Sequence, residues 1–316
     1  MWTANTVMVT RFCLSLITLP IRMSKKKNNQ EEIDRIFQLA NGPHIIQGIH
    51  NYCDRWCERC PLNEYCSLYA TENERDGAAG NKNADNEEFW QQLSENFEMM
   101  KEMLHEGAEK WGIDLSGIED ESWKKEYEIK EKKKDEFVEK QEISKWAAEY
   151  RDKAKEWFEE GQPLFEQKQE ELARNLEMGI REEDTIKAVH EVKDALEVIN
   201  WYHYFIEAKI TRALSSQFEE QEGDEMGVPR DADGSAKIGL IAVEKTMAAW
   251  ASLMKHIEER TDDIIPLLAL LEKLKNGLEA QFPNARKFIR PGFDEPDVVK
   301  KKKKILMKEE TKSKRK

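Results

Sequence analysis

The stretch SAKIGLIAVEKTMAAWASLMKHI, residues 235–257, carries the clearest structural pattern in the chain. Its bulky apolar residues recur with alternating steps of three and four, at Leu240, Val243, Met247, Trp250, Met254 and Ile257. This spacing places them on one side of a helix, where another apolar surface must cover them. The stretch therefore predicts an amphipathic helix within a larger helical assembly.

Four other stretches of the chain repeat this spacing. They cover residues 90–111, 143–157, 189–210 and 264–282. Apolar stripes of this kind pack against one another at shallow angles, as they do in antiparallel bundles. We therefore predict an all-α fold, with an antiparallel bundle of about six helices over residues 87–282. A four-cysteine helical module over residues 32–70 is expected to precede the bundle.

The composition agrees with a helical fold and excludes two classes of protein. Only 15 glycines and 9 prolines occur in 316 residues, so the chain has few of the tight turns that β-rich proteins need. The hydrophobic fraction of 39% suffices for a core but is too low for a multi-span membrane protein. Because the formal net charge is -13, we expect no sequence-specific binding of nucleic acid.

The start of the chain does not resemble an export signal or a membrane anchor. The apolar run over residues 4–22 contains Arg11, and Lys25–Lys27 follow the run instead of preceding it. The run is also too short to cross a bilayer. We interpret residues 1–31 as disordered or as a mis-annotated start, with Met23 as the natural beginning. A cytoplasmic protein without membrane contact is expected.

Breakers and charge runs predict the remaining boundaries. Residues 71–86 are polar and rich in Gly and Asn, which is typical of a linker. Residues 283–299 contain three prolines, which favours an extended segment on the surface of the bundle. Residues 300–316 hold ten basic and two acidic residues, so we predict a disordered basic tail that aids solubility.

The stretch NYCDRWCERCPLNEYCSLY, residues 51–69, is the clearest indication of chemistry. Its cysteines follow one another at intervals of four, three and six, at Cys53, Cys57, Cys60 and Cys66. On a helix the first three thiols would form a row, and Pro61 allows a turn that returns the fourth. Such a set of thiolates suits tetrahedral zinc or an iron–sulfur cluster, and the spacing does not distinguish the two.

Two other interpretations of the cysteines stay open. The four could form two disulfides, which the reducing cytosol disfavours, or they could be buried reduced thiols. Charged neighbours among them argue against an apolar interior and favour a metal or cluster site. Arg55 and Arg59 lie one turn apart and are candidates for offsetting the negative charge of thiolates. Alternatively, both arginines pair with Glu58 and solvent.

His203 is a second candidate site, because it lies on an apolar stripe between Ile199 and Ile206. With Glu207 one turn away and Glu244 from the next helix, it could bind metal as carboxylate-bridged di-iron bundles do. Those bundles place a Glu three residues before the His, and His203 has none there. The favoured interpretation is a core histidine bonded to Glu207 or to a backbone carbonyl.

The cysteine stretch resembles a segment of uncharacterised helical proteins from Bacteroidetes-type bacteria. Three further segments carry the same resemblance: ALEVINWYHYFIEAKITRAL (195–214), DGSAKIGLIAVEKTMAAW (233–250) and FPNARKFIRPGFD (282–294). The resemblance covers residues 45–295. It implies a helical fold and a bacterial cytosolic setting, and it brings no activity with it.

The sequence thus predicts a metal- or cluster-binding helical bundle protein that is not an enzyme or is at most an accessory one. Its cofactor would be a structural zinc ion or an iron–sulfur cluster held by the four cysteines. One alternative is a redox protein with an iron–sulfur or di-metal centre and a second site near His203. Another is a metal-free acidic scaffold that binds an unidentified protein partner.

Overall fold

The computed structural model describes residues 34–76, 87–113, 121–178, 182–221 and 231–313. Within these ranges the chain contains α-helices and short 3-10 turns but no β-strand, so the all-α prediction is confirmed. The nine α-helices of the described part are α1 (34–40), α2 (Ser67–Asp76), α3 (Glu87–Trp111), α4 (Glu121–Lys140), α5 (Glu142–Glu177), α6 (Glu182–Gln221), α7 (Asp231–Leu253), α8 (Thr261–Gln281) and α9 (Pro296–Ser313). The predicted disorder of residues 1–31 lies outside the described residues.

Two compact units make up the chain, and they differ from the predicted domains. The first contains residues 1–42 and 70–115, and the second contains 43–69 and 116–316. The cysteine segment, residues 43–69, therefore belongs with the bundle instead of forming a module of its own, and α3 does not belong with the bundle. The cysteine segment belongs with the bundle because side chains from near the carboxyl-terminal end of the chain complete its core.

The core of the second unit lies between α6 and α7, and α5 and α8 pack against this pair. The stripe that predicted α7 is buried at Leu240, Val243, Trp250 and Ile257. Trp250 Nε1 donates a hydrogen bond to Tyr150 Oη on α5 at 3.0 Å, so the polar atoms of these two buried rings satisfy each other. Each large apolar side chain buried here contributes about 1.5–3 kcal/mol to stability.

The basic segment near the end of the chain is helical over residues 300–313, where disorder was predicted. It forms most of α9, whose Val298, Val299 and Leu306 pack against the apolar core of the cysteine segment. Lys302 Nζ also donates a hydrogen bond to the Pro43 carbonyl oxygen at 2.8 Å. Val298, Val299 and Leu306 share one helix face, which gives the segment an apolar surface to bury, whereas Met307 is exposed.

Two other predicted boundaries also shift. Residues 71–76 continue α2, so the structure places a helix in the first part of the predicted linker over 71–86, and the rest of that linker is outside the described residues. The segment predicted as extended over 283–299 stops at 295, because α9 begins at Pro296. We call residues 283–295 the strap; it contains one short 3-10 turn, Ala285–Lys287.

Asp294 fastens the strap to the bundle. Its carboxylate accepts hydrogen bonds from Lys237 Nζ on α7 at 2.7 Å and from the backbone N–H and guanidinium of Arg290 at 2.9–3.1 Å. Burial alone would raise the pKa of Asp294, but these donors outweigh it and hold the pKa well below its usual range. The ionised carboxylate therefore contributes stability above its ordinary pKa, and that contribution is lost as the pH falls.

A close approach of the cysteine segment to α7 requires glycine at position 234. A Cβ atom there would lie 2.3 Å from Tyr52 Cε1 and 2.8 Å from Phe288 Cζ. Both rings are part of the packing that joins the cysteine segment and the strap to α7, with ring centroids 4.6 Å apart. Gly239, one turn further along α7, has no such neighbour, since its nearest contact would be Leu278 Cδ1 at 3.6 Å.

The Gly234→Ala variant is expected to unfold more easily than the wild type. The added methyl group overlaps the Tyr52 ring, and overpacking of this kind costs about 1–3 kcal/mol. Gly239→Ala is the matched control, because the same change on the same helix has room and gains up to about 1 kcal/mol of helix propensity. Urea denaturation followed by circular dichroism measures both. Equal stabilities of the two variants would contradict the packing described here.

The Asp294→Asn variant is expected to be less stable than the wild type by about 1–3 kcal/mol at pH 7, because it loses charge-assisted hydrogen bonds. The difference should shrink as the pH falls below about 4, because the carboxylate of the unfolded chain then takes up a proton that the folded Asp294 does not, which favours unfolding of the wild type. Urea denaturation at pH 7 and pH 3 tests this, with the exposed Glu258→Gln as a control. If Asp294→Asn and the wild type lose stability in parallel with pH, Asp294 does not hold the strap.

Candidate metal centre and the adjoining groove

The cysteine segment is built from three short 3-10 turns instead of one helix. These turns are Ile49–Tyr52, Cys57–Arg59 and Asn63–Tyr65. The predicted helical row of thiols is therefore wrong. The backbone explains why: Arg55 has φ 59°, in the left-handed region that an L-residue helix cannot contain, and Cys53, Cys60 and Cys66 have extended backbone angles.

All four cysteines nevertheless line one small cavity. His50, Tyr69 and Phe293 also line it, and a water-sized sphere can occupy about 20 Å³ of it. The cysteines are thiols and not disulfides. In the part of the chain that the structure describes, no three His, Cys, Asp or Glu side chains are arranged to hold a metal ion. The thiols thus share a cavity without forming a finished ligand set.

Burial and mutual repulsion shape the electrostatics of these thiols. Burial raises the pKa of Cys53 and of Cys60, and each is raised further by the neighbouring thiol of Cys66. Opposing this, the backbone of Arg55 hydrogen bonds to Cys53, and the backbone of Leu62 hydrogen bonds to Cys60. Hydrogen bonds from backbone N–H groups stabilise a thiolate, so the turns already supply donors for the charged form.

His50 adds a nitrogen to the same cavity. Its Nδ1 atom is buried and has no hydrogen-bond partner among the described residues. Burial lowers the pKa of His50 and the charge of Arg55 lowers it further, so the imidazole is neutral near pH 7. A neutral imidazole with an unsatisfied nitrogen is a potential ligand. No sequence pattern indicated His50, because it lies outside the cysteine spacing.

The positive charge beside the thiols comes partly from a residue that the sequence did not indicate. Lys209 on α6 is half-buried. Burial lowers the pKa of Lys209, and the charge of Arg212 lowers it further, while the charge of Cys53 raises it. The charge of Arg55 also acts on the Cys53 thiol, where it opposes the larger effect of burial by lowering the pKa. Arg59 does not fit its predicted role: its guanidinium pairs with Asp194 at 2.6 Å and with Glu197, both on α6.

The residues between the cysteines hold the segment to the bundle. Asp54 is the centre of this contact: its carboxylate accepts hydrogen bonds from Tyr202 Oη at 2.6 Å and from Lys245 Nζ at 3.0 Å. Its backbone carbonyl accepts a further bond from Trp201 Nε1 at 3.0 Å. Burial alone would raise the pKa of Asp54, but these donors lower it overall, so the carboxylate is ionised.

Aromatic stacking extends the same contact. The Trp56 ring stacks on the Trp201 ring with centroids 4.9 Å apart and an interplanar angle of 15°. The guanidinium of Arg59 covers the Trp56 ring at 4.1 Å from its centroid. Tyr52 packs on α7, and burial together with Asp231 raises its pKa to about 12. The residues that hold the segment to the bundle thus lie next to or between the cysteines, and Asp54 and Trp56 border the small cavity as well.

A groove of about 600 Å³ runs beside the small cavity. One wall is the cysteine segment at Asp54, Trp56 and Arg59, and the floor consists of small and aliphatic side chains of α6 and α7. Cys53 and Cys60 line both the groove and the small cavity. These two thiols therefore border both spaces, whereas Cys57 and Cys66 line only the small one of the two.

The second predicted site is not assembled. His203 is buried, and its Nδ1 atom lies 2.7 Å from the Asn200 carbonyl oxygen, with its pKa lowered by burial. Glu207 instead receives both its hydrogen bonds from Arg151 Nη1, at 2.7 and 2.6 Å, and Glu244 pairs with Arg286 at 2.7 Å. The favoured interpretation, a core histidine bonded to Glu207 or to a backbone carbonyl, matches this geometry in its second form, because the contact is with the Asn200 carbonyl.

Comparison with protein-family models, curated proteins and solved structures finds no match to this chain. The site is therefore interpreted from its own geometry. Among the described helices, none combines the length and apolar composition that crossing a membrane requires.

The Asp54→Asn variant is expected to loosen the cysteine segment. The amide keeps the shape of the side chain but cannot offer a charged acceptor to Tyr202 and Lys245, a loss of about 1–3 kcal/mol. Limited proteolysis should then cut within residues 43–69 faster than in the wild type. Glu58→Gln removes a charge from the same segment at an exposed position and is the control. Unchanged protection in Asp54→Asn would show that Asp54 is not the main attachment.

Proposed function

We propose that Cys53, Cys57, Cys60 and Cys66 bind one metal ion, with zinc as the best fit. The observation that carries the proposal is the shared cavity, which all four thiols line. Zinc prefers four soft ligands in a tetrahedral arrangement, with each sulfur about 2.3 Å from the ion. Binding therefore requires the thiols to rotate from the cavity wall towards its centre and to lose their protons.

The size of the cavity favours a single ion over an iron–sulfur cluster. The space open to a water-sized sphere is about 20 Å³, close to the volume of one or two such spheres. A cluster of several iron and sulfide atoms would have to push back the walls, including the Phe293 ring. A single zinc ion drawn in by the thiols fits without that displacement.

The charges around the cavity support the same proposal. Four thiolates exceed the charge of a divalent ion, and nearby cations lower the energy of such a centre. Lys209 and Arg55 both act on Cys53 and would offset part of this excess. The backbone hydrogen bonds to Cys53 and Cys60 would act in the same direction.

The role of the ion would be structural. The fully buried core of the cysteine segment itself is small, with Ile46, Ile49 and Tyr65 as its members, and its turns are too short to be stable alone. A bound ion supplies the missing stability and fixes Asp54 and Trp56 against α6 and α7. Four thiolates leave zinc no open position for a substrate, so we assign no reaction to the site. Reduced thiols are required, which suits a cytosolic protein.

Metal analysis of the purified full-length protein tests this proposal. We expect one zinc per chain and no stoichiometric iron or sulfide. Cys57→Ser should lose the zinc, because it removes one ligand, while Cys13→Ser should keep it. Brown protein with iron and sulfide would show that a cluster is bound in place of zinc. Metal-free protein in which the thiols of all four segment cysteines are reactive would refute metal binding.

Cobalt substitution distinguishes a four-sulfur centre from one that includes His50. The intensity of the sulfur-to-cobalt charge-transfer band rises with the number of thiolates bound. His50→Asn should therefore leave the spectrum unchanged, whereas Cys66→Ser should weaken it. The reverse result would mean that His50 takes the place of a thiol.

A further inference from the structure

Helix α3 in the first unit carries a row of large apolar side chains on its surface. Its sequence predicted that this stripe would be buried, yet the exposed fractions are high: Trp90 57%, Phe97 60%, Met100 55%, Leu104 67% and Trp111 75%. A patch of this kind on a folded protein marks an interaction surface. The helix is regular over 25 residues and ends where Gly112 adopts φ 65°.

The spacing of the row is that of a coiled coil. Trp90, Phe97, Leu104 and Trp111 are seven residues apart, and Leu93, Met100 and Gly107 form a second series with the same period. A strict seven-residue repeat keeps one seam facing a partner helix along its whole length, which a single helix packed on a globular surface does not require. The seam of α3 therefore fits another helix with the same repeat.

Charge is arranged to leave this seam free of carboxylates. The acidic residues of α3 that follow Trp90 all lie on the side turned away from the seam, at Glu95, Glu98, Glu102, Glu106 and Glu109. Ser94, Lys101 and Ala108 flank the seam on one side, so two copies of the helix could meet without like-charged carboxylates in contact.

Gly107 indicates what kind of helix packs against the seam. Glycine inside a helix costs about 1 kcal/mol relative to alanine, so its use here needs a reason. The described residues offer none, because a Cβ atom at Gly107 would meet no atom of theirs within 4 Å except Trp111 Cζ3, at an ordinary 3.7 Å. Space for a large side chain from a facing helix would explain the glycine.

We propose that α3 pairs antiparallel with α3 of a second copy of this chain. In the register that aligns the two series, Trp90 faces Gly107 of the second copy, Leu93 faces its Leu104, and Phe97 faces its Met100. Each large side chain thus meets a smaller one or a flexible one. A parallel pair would instead place Trp90 against Trp90 and leave a void between two glycines.

The area is that of a weak, reversible dimer. If Trp90, Phe97, Met100 and Leu104 of each helix lose roughly 100 Å² each, the pair buries about 800 Å² in total, which is in the range of weak and transient interfaces. The proposal does not depend on the cysteine centre, since α3 belongs to the other unit.

Light scattering on the full-length protein over a range of concentrations tests the pairing. The wild type should be a dimer that dissociates on dilution. Phe97→Glu should raise the dissociation constant at least about 100-fold, because it places two carboxylates in the apolar seam. Glu98→Gln changes the neighbouring residue on the outer side and should leave the dissociation constant unchanged.

A size exchange tests the register. Trp90→Ala alone should weaken the dimer, and Gly107→Trp alone should weaken it by crowding Trp90 of the second copy. The double variant should recover wild-type association, because the large and small residues have only changed places. Circular dichroism confirms that α3 stays helical in each variant.

Two results would overturn the proposal. One is that the wild type stays monomeric up to the highest concentration reached and that Phe97→Glu lowers the thermal stability of this monomer. The stripe would then be covered by the chain itself. The other is a dimer in which the double variant fails to recover association, since the helices would then pair in another way.

Discussion

The ionised carboxylate of Asp54 is the contact on which the arrangement of the second unit depends. It is half-buried, immediately follows a cysteine, and accepts hydrogen bonds from one side chain of α6 and one of α7. A charge in such a place is costly unless donors surround it, and the Tyr202 hydroxyl and the Lys245 ammonium meet that need. Asp54 thereby fixes an otherwise irregular segment to the two central helices.

The cysteine segment combines attachment to the bundle with a shared cavity. Tyr52, Asp54, Trp56 and Arg59 contact α6 or α7, and all four cysteines line the small cavity, which Asp54 and Trp56 also border. The left-handed turn at Arg55 makes this arrangement possible, because a regular helix would have placed three thiols in a row on one face. The same turn brings a backbone donor to the Cys53 sulfur.

Sequence periodicity predicted the fold well and the site only in part. The stripe from Leu240 to Ile257 was sufficient to predict α7. The four closely spaced cysteines line one cavity, but the convergence of their sulfurs on one metal centre stays a prediction. Lys209 and Tyr202 could not be predicted, since about 150 residues separate them from the cysteines and no local pattern links them. The ion pairs of Arg59 could not be predicted for the same reason, because its partners Asp194 and Glu197 are equally remote in the sequence.

The dependence of the cysteine segment on Val298, Val299 and Leu306 has a consequence for how the protein is made. The cysteines are synthesised long before α9, so the core of the nascent segment stays incomplete while some 230 further residues are synthesised. During that interval the thiols are accessible to oxidants and to soft metal ions. Early capture of an ion would protect them until the carboxyl-terminal helix arrives to close the unit.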